Sequence, residues 1–202
     1  MAYQYDIFLS YRRNPETLRW IHQHLQPLLT LRVSLELGRD PVIFIDDQIE
    51  AGTDWPLELA TKLATSRVLI PLWSKTYFNS KWCMEELSIM LAREEETSRR
   101  KPDNPRGLVI PGIIHDGDEF PAEISRIQYF ELRECFNVRM AKDSPRAEEL
   151  DEILNQQAPA IAKAIEAAPQ WQPQWPKTAA AEFYRVYYNE QKPTQTAVPG
   201  LA

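Results

Sequence analysis

The residues best placed to do chemistry lie in the segment 79–87, NSKWCMEEL. At about 100° per residue, Cys83, Leu87, Met90 and Leu91 form one apolar stripe of a helix, and Glu86 falls on its flank. Trp82, four residues earlier, shares that flank, whereas Glu85 points nearly opposite, toward water. Glu86 can therefore be held at the edge of a cleft beside an indole, a position from which a carboxylate can do chemistry; geometry alone favours an ordinary helix-flank carboxylate. A second group of candidates sits where apolar runs end. Ser10, Tyr11, Arg12 and Arg13 follow the first run, Asp46 the second and Ser74 the third. This rim is polar and mixed in charge, and its two guanidinium groups can pair with phosphates. A solvated loop accounts for the same residues.

The elements that must position these groups alternate short apolar runs with helical periods, the pattern of a parallel sheet covered on both faces. Strands are expected at Tyr5–Leu9, Val42–Ile45, Arg67–Trp73, Gly107–Ile114 and Ile127–Leu132. Helices are expected over about 16–35, with a kink or break at Pro27, from a cap at Thr53 or Asp54 to about 65, over 80–96, and over 145–167, with an irregularity at Pro159. Open sheets of this kind place their ligands at the carboxyl ends of the strands, where the candidate rim falls. The run 93–101, REEETSRRK, reads as a solvated helix end and loop.

Composition narrows the classes. A chain of 202 residues with 44% hydrophobic and 26% charged residues is globular, and its net charge of −6 argues against nucleic-acid binding. Cys83 and Cys135 read as buried thiols in a reducing compartment. They are not spaced with His22, His24 and His115 as metal ligands, so no metal is expected. The N-terminus lacks a secretory pattern and no run has the length of a membrane span, so a cytoplasmic protein with no membrane association is expected. No GxxxxGK[ST] loop, no GxGxxG after the first strand and no GxSxG elbow occurs. Ser10 and Ser74 stand where a phosphate-accepting receiver would carry acids.

Over roughly residues 3–167 the chain resembles TIR (Toll/interleukin-1 receptor) domains. YDIFLSYRRN is similar to the family's first box, FIDDQIEAG to its second strand and BB recognition loop, SKWCMEEL to its W-C-x-x-E segment, and LVIPGI to its fourth strand. The combination resembles the NAD+-cleaving branch seen in bacterial, plant and axon-degeneration TIR proteins. The chain departs from the family in the long stretch LTLRVSLELGRDP and in its C-terminal arm.

The resemblance implies a flavodoxin-like three-layer α/β fold, with a five-stranded parallel sheet flanked by helices, over residues 1–168. It implies an NAD+ nucleosidase that releases nicotinamide with ADP-ribose or a cyclic form, in innate immune, anti-phage signalling. NAD+ is then substrate and no cofactor is needed. The catalytic glutamate of W-C-x-x-E falls on Glu86 rather than Glu85. Trp82 would stack on a ring of the dinucleotide, Arg12 or Arg13 would hold its pyrophosphate, and Asp46 would accept a ribose hydroxyl; Ser10, Tyr11 and Ser74 complete the substrate rim. Self-association is implied through the BB loop, at Ile49, Glu50 and Gly52. The alternative is a non-enzymatic adaptor that binds other TIR domains. Residues 169–202, with Trp171, Trp175 and Tyr184, Tyr187 and Tyr188, form an aromatic and proline-rich extension. It either packs on its own domain or offers a surface to another subunit, a sensor domain or a partner protein.

Overall fold

A computed structural model describes residues 2–47, 54–115, 120–121 and 124–191. Five parallel strands, β1 (Tyr5–Ser10), β2 (Ile43–Ile45), β3 (Ser66–Trp73), β4 (Gly112–Ile113) and β5 (Phe130–Glu131), form one sheet in the order β2-β1-β3-β4-β5. That is the doubly wound, flavodoxin-like order, in which the chain reverses its direction of growth between β1 and β3. β1 is almost wholly apolar because both of its faces are covered. Ile7 and Leu9 enter one core with Val68, Ile70 and Leu72, while Phe8 enters the other with Phe44, Leu69 and Trp73.

The first core is closed by α1 (Pro15–Trp20), α2 (Gln26–Leu37) and α6 (Pro145–Glu166). The second is closed by α3 (Trp55–Ala64), α5 (Lys81–Glu96) and α7 (Trp175–Gln191). Asn14 caps α1, its side chain accepting from Glu16 N at 2.8 Å, and Pro15 fits the first turn. The disturbance expected at Pro27 appears just upstream, as a π-helical turn over Ile21–Leu25 in which Gln26 N bonds to Ile21 O. The wider turn lets the helix continue past a residue that has no N–H to donate. Gly38, at φ +68°, ends α2 by giving its N–H to Ser34 O. Asp54 caps α3, with Pro56 in its first turn. Pro159 leaves α6 unbroken.

Three expectations need correction. The fourth strand does not run over Gly107–Ile114: Val109 bridges to Leu69, but the ladder resumes only at Gly112, because Pro111 has no N–H to contribute. The fifth strand is also shorter, since Ile124–Ile127 turn back on themselves, with Ile127 N bonded to Ile124 O, before Phe130 joins the sheet. The run 93–101 is not simply solvated. Arg93, Glu94 and Arg99 are buried: Arg93 donates to Ser66 O and lies 4.3 Å from the Trp175 ring, and Glu94 accepts from the Val109 amide. Charge runs are solvated only where no element packs over them, and here α7 and the approach to β4 both do.

The extension carries α7, whose Ala179 and Phe183 are fully buried against α3 and α5, with Trp175 almost so. Phe183→Ala would empty an aromatic site in that core and is expected to cost about 3–5 kcal/mol, measurable by chemical denaturation. Tyr187 and Tyr188 remain exposed. No described helix is long and apolar enough to cross a membrane, and the described residues hold no cluster of three or more potential metal ligands.

Candidate functional site

The sheet order brings the ends of β1 and β3 together, and α5 is anchored beside them. A short helix absent from the sequence reading, α4 (Lys75–Phe78), makes the connection. Ser74 caps it by accepting from Tyr77 N at 3.2 Å, and Ser80 in turn caps α5 by accepting from Cys83 N. The two caps fix the azimuth of α5, so that Cys83, Glu86, Leu87 and Met90 all face inward.

Glu86 is 4% exposed. Ser10 Oγ, at the end of β1, makes a short hydrogen bond to Glu86 Oε2. Ser10 Oγ also lies 2.9 Å from Tyr77 Oη, which in turn is 3.1 Å from the carbonyl of Cys83. Burial is the main reason the Glu86 carboxyl is pushed up to about 8. The Ser10 bond and the Arg13 charge oppose that shift, and the Asp46 charge adds to it. Burial likewise raises the Cys83 thiol to about 12 and the Tyr77 phenol well above its ordinary value, so both stay neutral.

Arg13 and Asp46 form a bidentate pair, at 2.8 and 2.7 Å. The Asp46 carboxylate is mostly covered and its pKa lies above the usual range, raised by burial against the opposing Arg13 bonds. The Arg13 guanidinium also lies 5.0 Å from the ring of Trp55. Tyr11 packs into the first core, and burial together with the charges of Asp46 and Asp47 raises its phenol. His22 and His24 part company as their spacing implies: His22 pairs with Asp47 at 2.6 Å, and His24 is buried.

A cavity of about 550 Å³ opens beside this cluster at the carboxyl end of the sheet. Arg12, Arg13 and Ser74 line it, as do Thr17, Asn79 and Phe136. Glu86, Asp46 and Trp82 are not among its lining residues. Trp82 lies elsewhere: its ring stacks on Phe183 of α7 at 5.7 Å, meets Trp55 edge-on at 4.2 Å, and donates from Nε1 to Glu190. Glu85, expected in open water, has its side chain mostly covered and pairs with Arg185 of α7 at 3.4 Å. The cause is α7 itself, which lies outside the motif from which the helix face was read. Ile49, Glu50 and Gly52 lie outside the described residues. Nothing in the sequence reading singled out Tyr77, although the Ser74-to-Tyr77 capping interval was an available signal. Trp55, three residues after Gly52, is a departure from the family pattern that the fold puts against Arg13 and Trp82.

Similar sequences occur in proteins of Arabidopsis thaliana. "Protein SUPPRESSOR OF npr1-1, CONSTITUTIVE 1" is 37% identical over 84 residues, or 42% of this chain, and "Disease resistance protein TAO1" is 32% identical over 93 residues, or 45%. The matched region spans only 5–7% of those proteins' own length. Among solved structures, the TIR domain of the Toll-related receptor TRR-2 from Hydra magnipapillata aligns over 63% of this chain and 84% of that one, with 18% identity and a TM-score of 0.45. The TIR domains of the activated Roq1 resistosome align over 93% and 99%, with 18% identity and a TM-score of 0.40. A sequence profile described as TIR domain matches residues 7–143, from β1 through Glu86 to beyond β5, and on that match the chain belongs to the TIR-domain family.

Proposed function

We propose that this TIR domain cleaves NAD+ at the nicotinamide–ribose bond, giving nicotinamide and ADP-ribose or its cyclic form, and that it serves immune signalling. The observation that carries the reading is the position of Glu86. The last residue of the W-C-x-x-E frame is held against Ser10 at the carboxyl end of the sheet, within the fields of Arg13 and Asp46. The plant relatives named as disease-resistance proteins support the immune role.

Chemically, one carboxylate suffices. The pyridinium nitrogen of NAD+ already bears positive charge and departs as neutral nicotinamide, so the leaving group needs no proton donor, unlike an ordinary glycoside. What needs stabilising is positive charge developing at the ribose, which an ionised Glu86 meets electrostatically or by a transient bond. In this reading Arg12 and Arg13, which line the cavity, bind the pyrophosphate, and Asp46 accepts a ribose hydroxyl once substrate displaces part of its pairing with Arg13. Self-association through the BB loop, where Ile49, Glu50 and Gly52 fall, completes the proposal.

Only the ionised carboxylate does this work, which fixes the sign of the pH dependence. With Glu86 raised to about 8, kcat/KM is expected to climb as pH rises from 6 through about 8 and then level off, because kcat/KM reports the free enzyme's ionisation. The test is nicotinamide release from NAD+ by concentrated protein across that range. Absence of turnover with self-association enforced would leave the adaptor role.

A further inference from the structure

The buried polar chain behind Glu86 has three oxygen–oxygen contacts in series: Glu86 to Ser10, Ser10 to Tyr77, and Tyr77 to the carbonyl of Cys83. Counting protons along it is informative. A neutral Glu86 supplies a third hydrogen. The carboxyl then donates to Ser10, Ser10 to Tyr77 and Tyr77 to the carbonyl, and every contact is a hydrogen bond. An ionised Glu86 leaves two hydroxyl hydrogens for three contacts. Ser10 must turn back to the carboxylate, and Tyr77 can serve either Ser10 or the Cys83 carbonyl, but not both.

We propose that Tyr77 is a positioning residue for Glu86, acting through Ser10: its phenol terminates a hydroxyl relay that is complete with the neutral carboxyl and gives up one link when that carboxyl ionises. In that step the Glu86 O–H bond breaks and its proton goes to a water molecule. The Ser10 hydroxyl rotates from Tyr77 to the carboxylate, and Tyr77 keeps its bond to the carbonyl. No bond between heavy atoms changes. Tyr77 is fully buried, and a phenol is needed there only if its oxygen is used, since a phenyl ring fills the same space. The inference rests on Glu86 being the working carboxylate of the proposed reaction, but the relay is a property of the folded chain and can be read without substrate.

The charged and titratable groups around Glu86 come from every neighbouring element: Tyr11 and Arg13 at the end of β1, Asp46 after β2, Tyr77 on α4 and Cys83 on α5. Arg13 favours the carboxylate and Asp46 opposes it, and the two are bound to each other. Tyr11, Tyr77 and Cys83 are all raised above their ordinary values and stay neutral. The hydroxyl relay is therefore the adjustable part.

Tyr77→Phe removes two links from the neutral state and one from the ionised state, so the Glu86 midpoint should fall by about one pH unit, tenfold in the ionisation equilibrium, the size of one hydrogen bond. Ser10→Ala takes two links from the neutral state and one charge-assisted link from the ionised state, losses that roughly cancel, but it disconnects Tyr77 from Glu86. In the Ser10→Ala background, Tyr77→Phe should therefore leave the midpoint unmoved. The measurement is a titration of the Glu86 side-chain carboxyl carbon in full-length protein labelled with 13C-glutamate, assigned by its loss in Glu86→Gln, alongside the pH profile of nicotinamide release. A midpoint that does not fall in Tyr77→Phe, or that falls as far when Ser10 is already alanine, overturns the relay. If Tyr77→Phe failed to fold, Tyr77→Leu, which also lacks the phenol oxygen, would decide in its place by the same criterion. Missing nicotinamide release in the unaltered chain would count against NAD+ cleavage, while the carbon titration still reads the relay.

Discussion

Glu86→Gln is expected to lower nicotinamide release by about 10³-fold or more, the scale of losing a preorganised charge-stabilising group, which is about 4 kcal/mol of barrier. The substitution keeps the side chain's size and an oxygen for Ser10 to bond, so the loss isolates the negative charge. Glu85→Ala is the matched control: it removes a mostly covered partner of the exposed Arg185, on the side of α5 that meets α7 and away from Ser10, and should keep most of the turnover. Equal losses in the two variants would refute the assignment. Stability should move the other way. A carboxyl whose folded pKa is raised above its unfolded value holds its proton more tightly in the fold. The stability this confers is complete below the unfolded value and disappears as pH climbs through about 8. Above that pH the fold bears the cost of a buried anion, so Glu86→Gln should melt at a higher temperature than the parent at pH 9. An inactive variant that is also more stable in alkali would mark Glu86 as a residue kept for chemistry.

Glu94→Ala is expected to cost the fold about 3–5 kcal/mol, as much as emptying the Phe183 site, and roughly 10 °C in Tm for a chain of this size. Glu94 is buried on α5, and its Oε1 accepts from the backbone amides of Leu108 and Val109. Its Oε2 accepts from Arg100 Nε at 2.6 Å, and Arg100 Nη2 then donates to the Val109 carbonyl at 2.7 Å. Removing the carboxylate leaves two amides and a guanidinium in want of partners, at the point where the chain enters the sheet beside β3. Glu94→Gln keeps an acceptor oxygen and should recover part of the loss. Urea denaturation of the three proteins measures the difference, and a loss below about 1 kcal/mol for Glu94→Ala would show that water replaces these bonds readily.

Much of the sheet was legible because parallel strands buried on both faces are nearly continuous apolar runs, as YDIFL and RVLIPLW are but for Asp6 and Arg67. The short strands were overdrawn because periodicity reports burial rather than ladder hydrogen bonding: Ile110 and Ile127 are apolar, yet Pro111 and the turn at 124–127 interrupt pairing. Glu86 could be placed on the inward flank of α5 from spacing alone. Trp82 and Glu85 could not, because what they touch is supplied by a helix about a hundred residues later in the chain. Tyr77 escaped notice for a related reason: a four-residue helix has no period to detect, and its role depends on Ser10, which is 67 residues away.

The matched stretch, residues 7–143, stops before both α6 and α7. These two helices sit on opposite sides of the sheet, α6 over Ile7, Leu9 and Val68 and α7 over the side that holds Phe8 and Leu69. The matched stretch thus holds the W-C-x-x-E frame and reaches all five strands, and the unit whose cores close on one another is longer. Trimming the gene to the signature would take α6 from one face of the sheet and, on the other, uncover the sides of α3 and α5 on which Ala179 and Phe183 pack. A recombinant fragment that keeps both cores closed extends through α7.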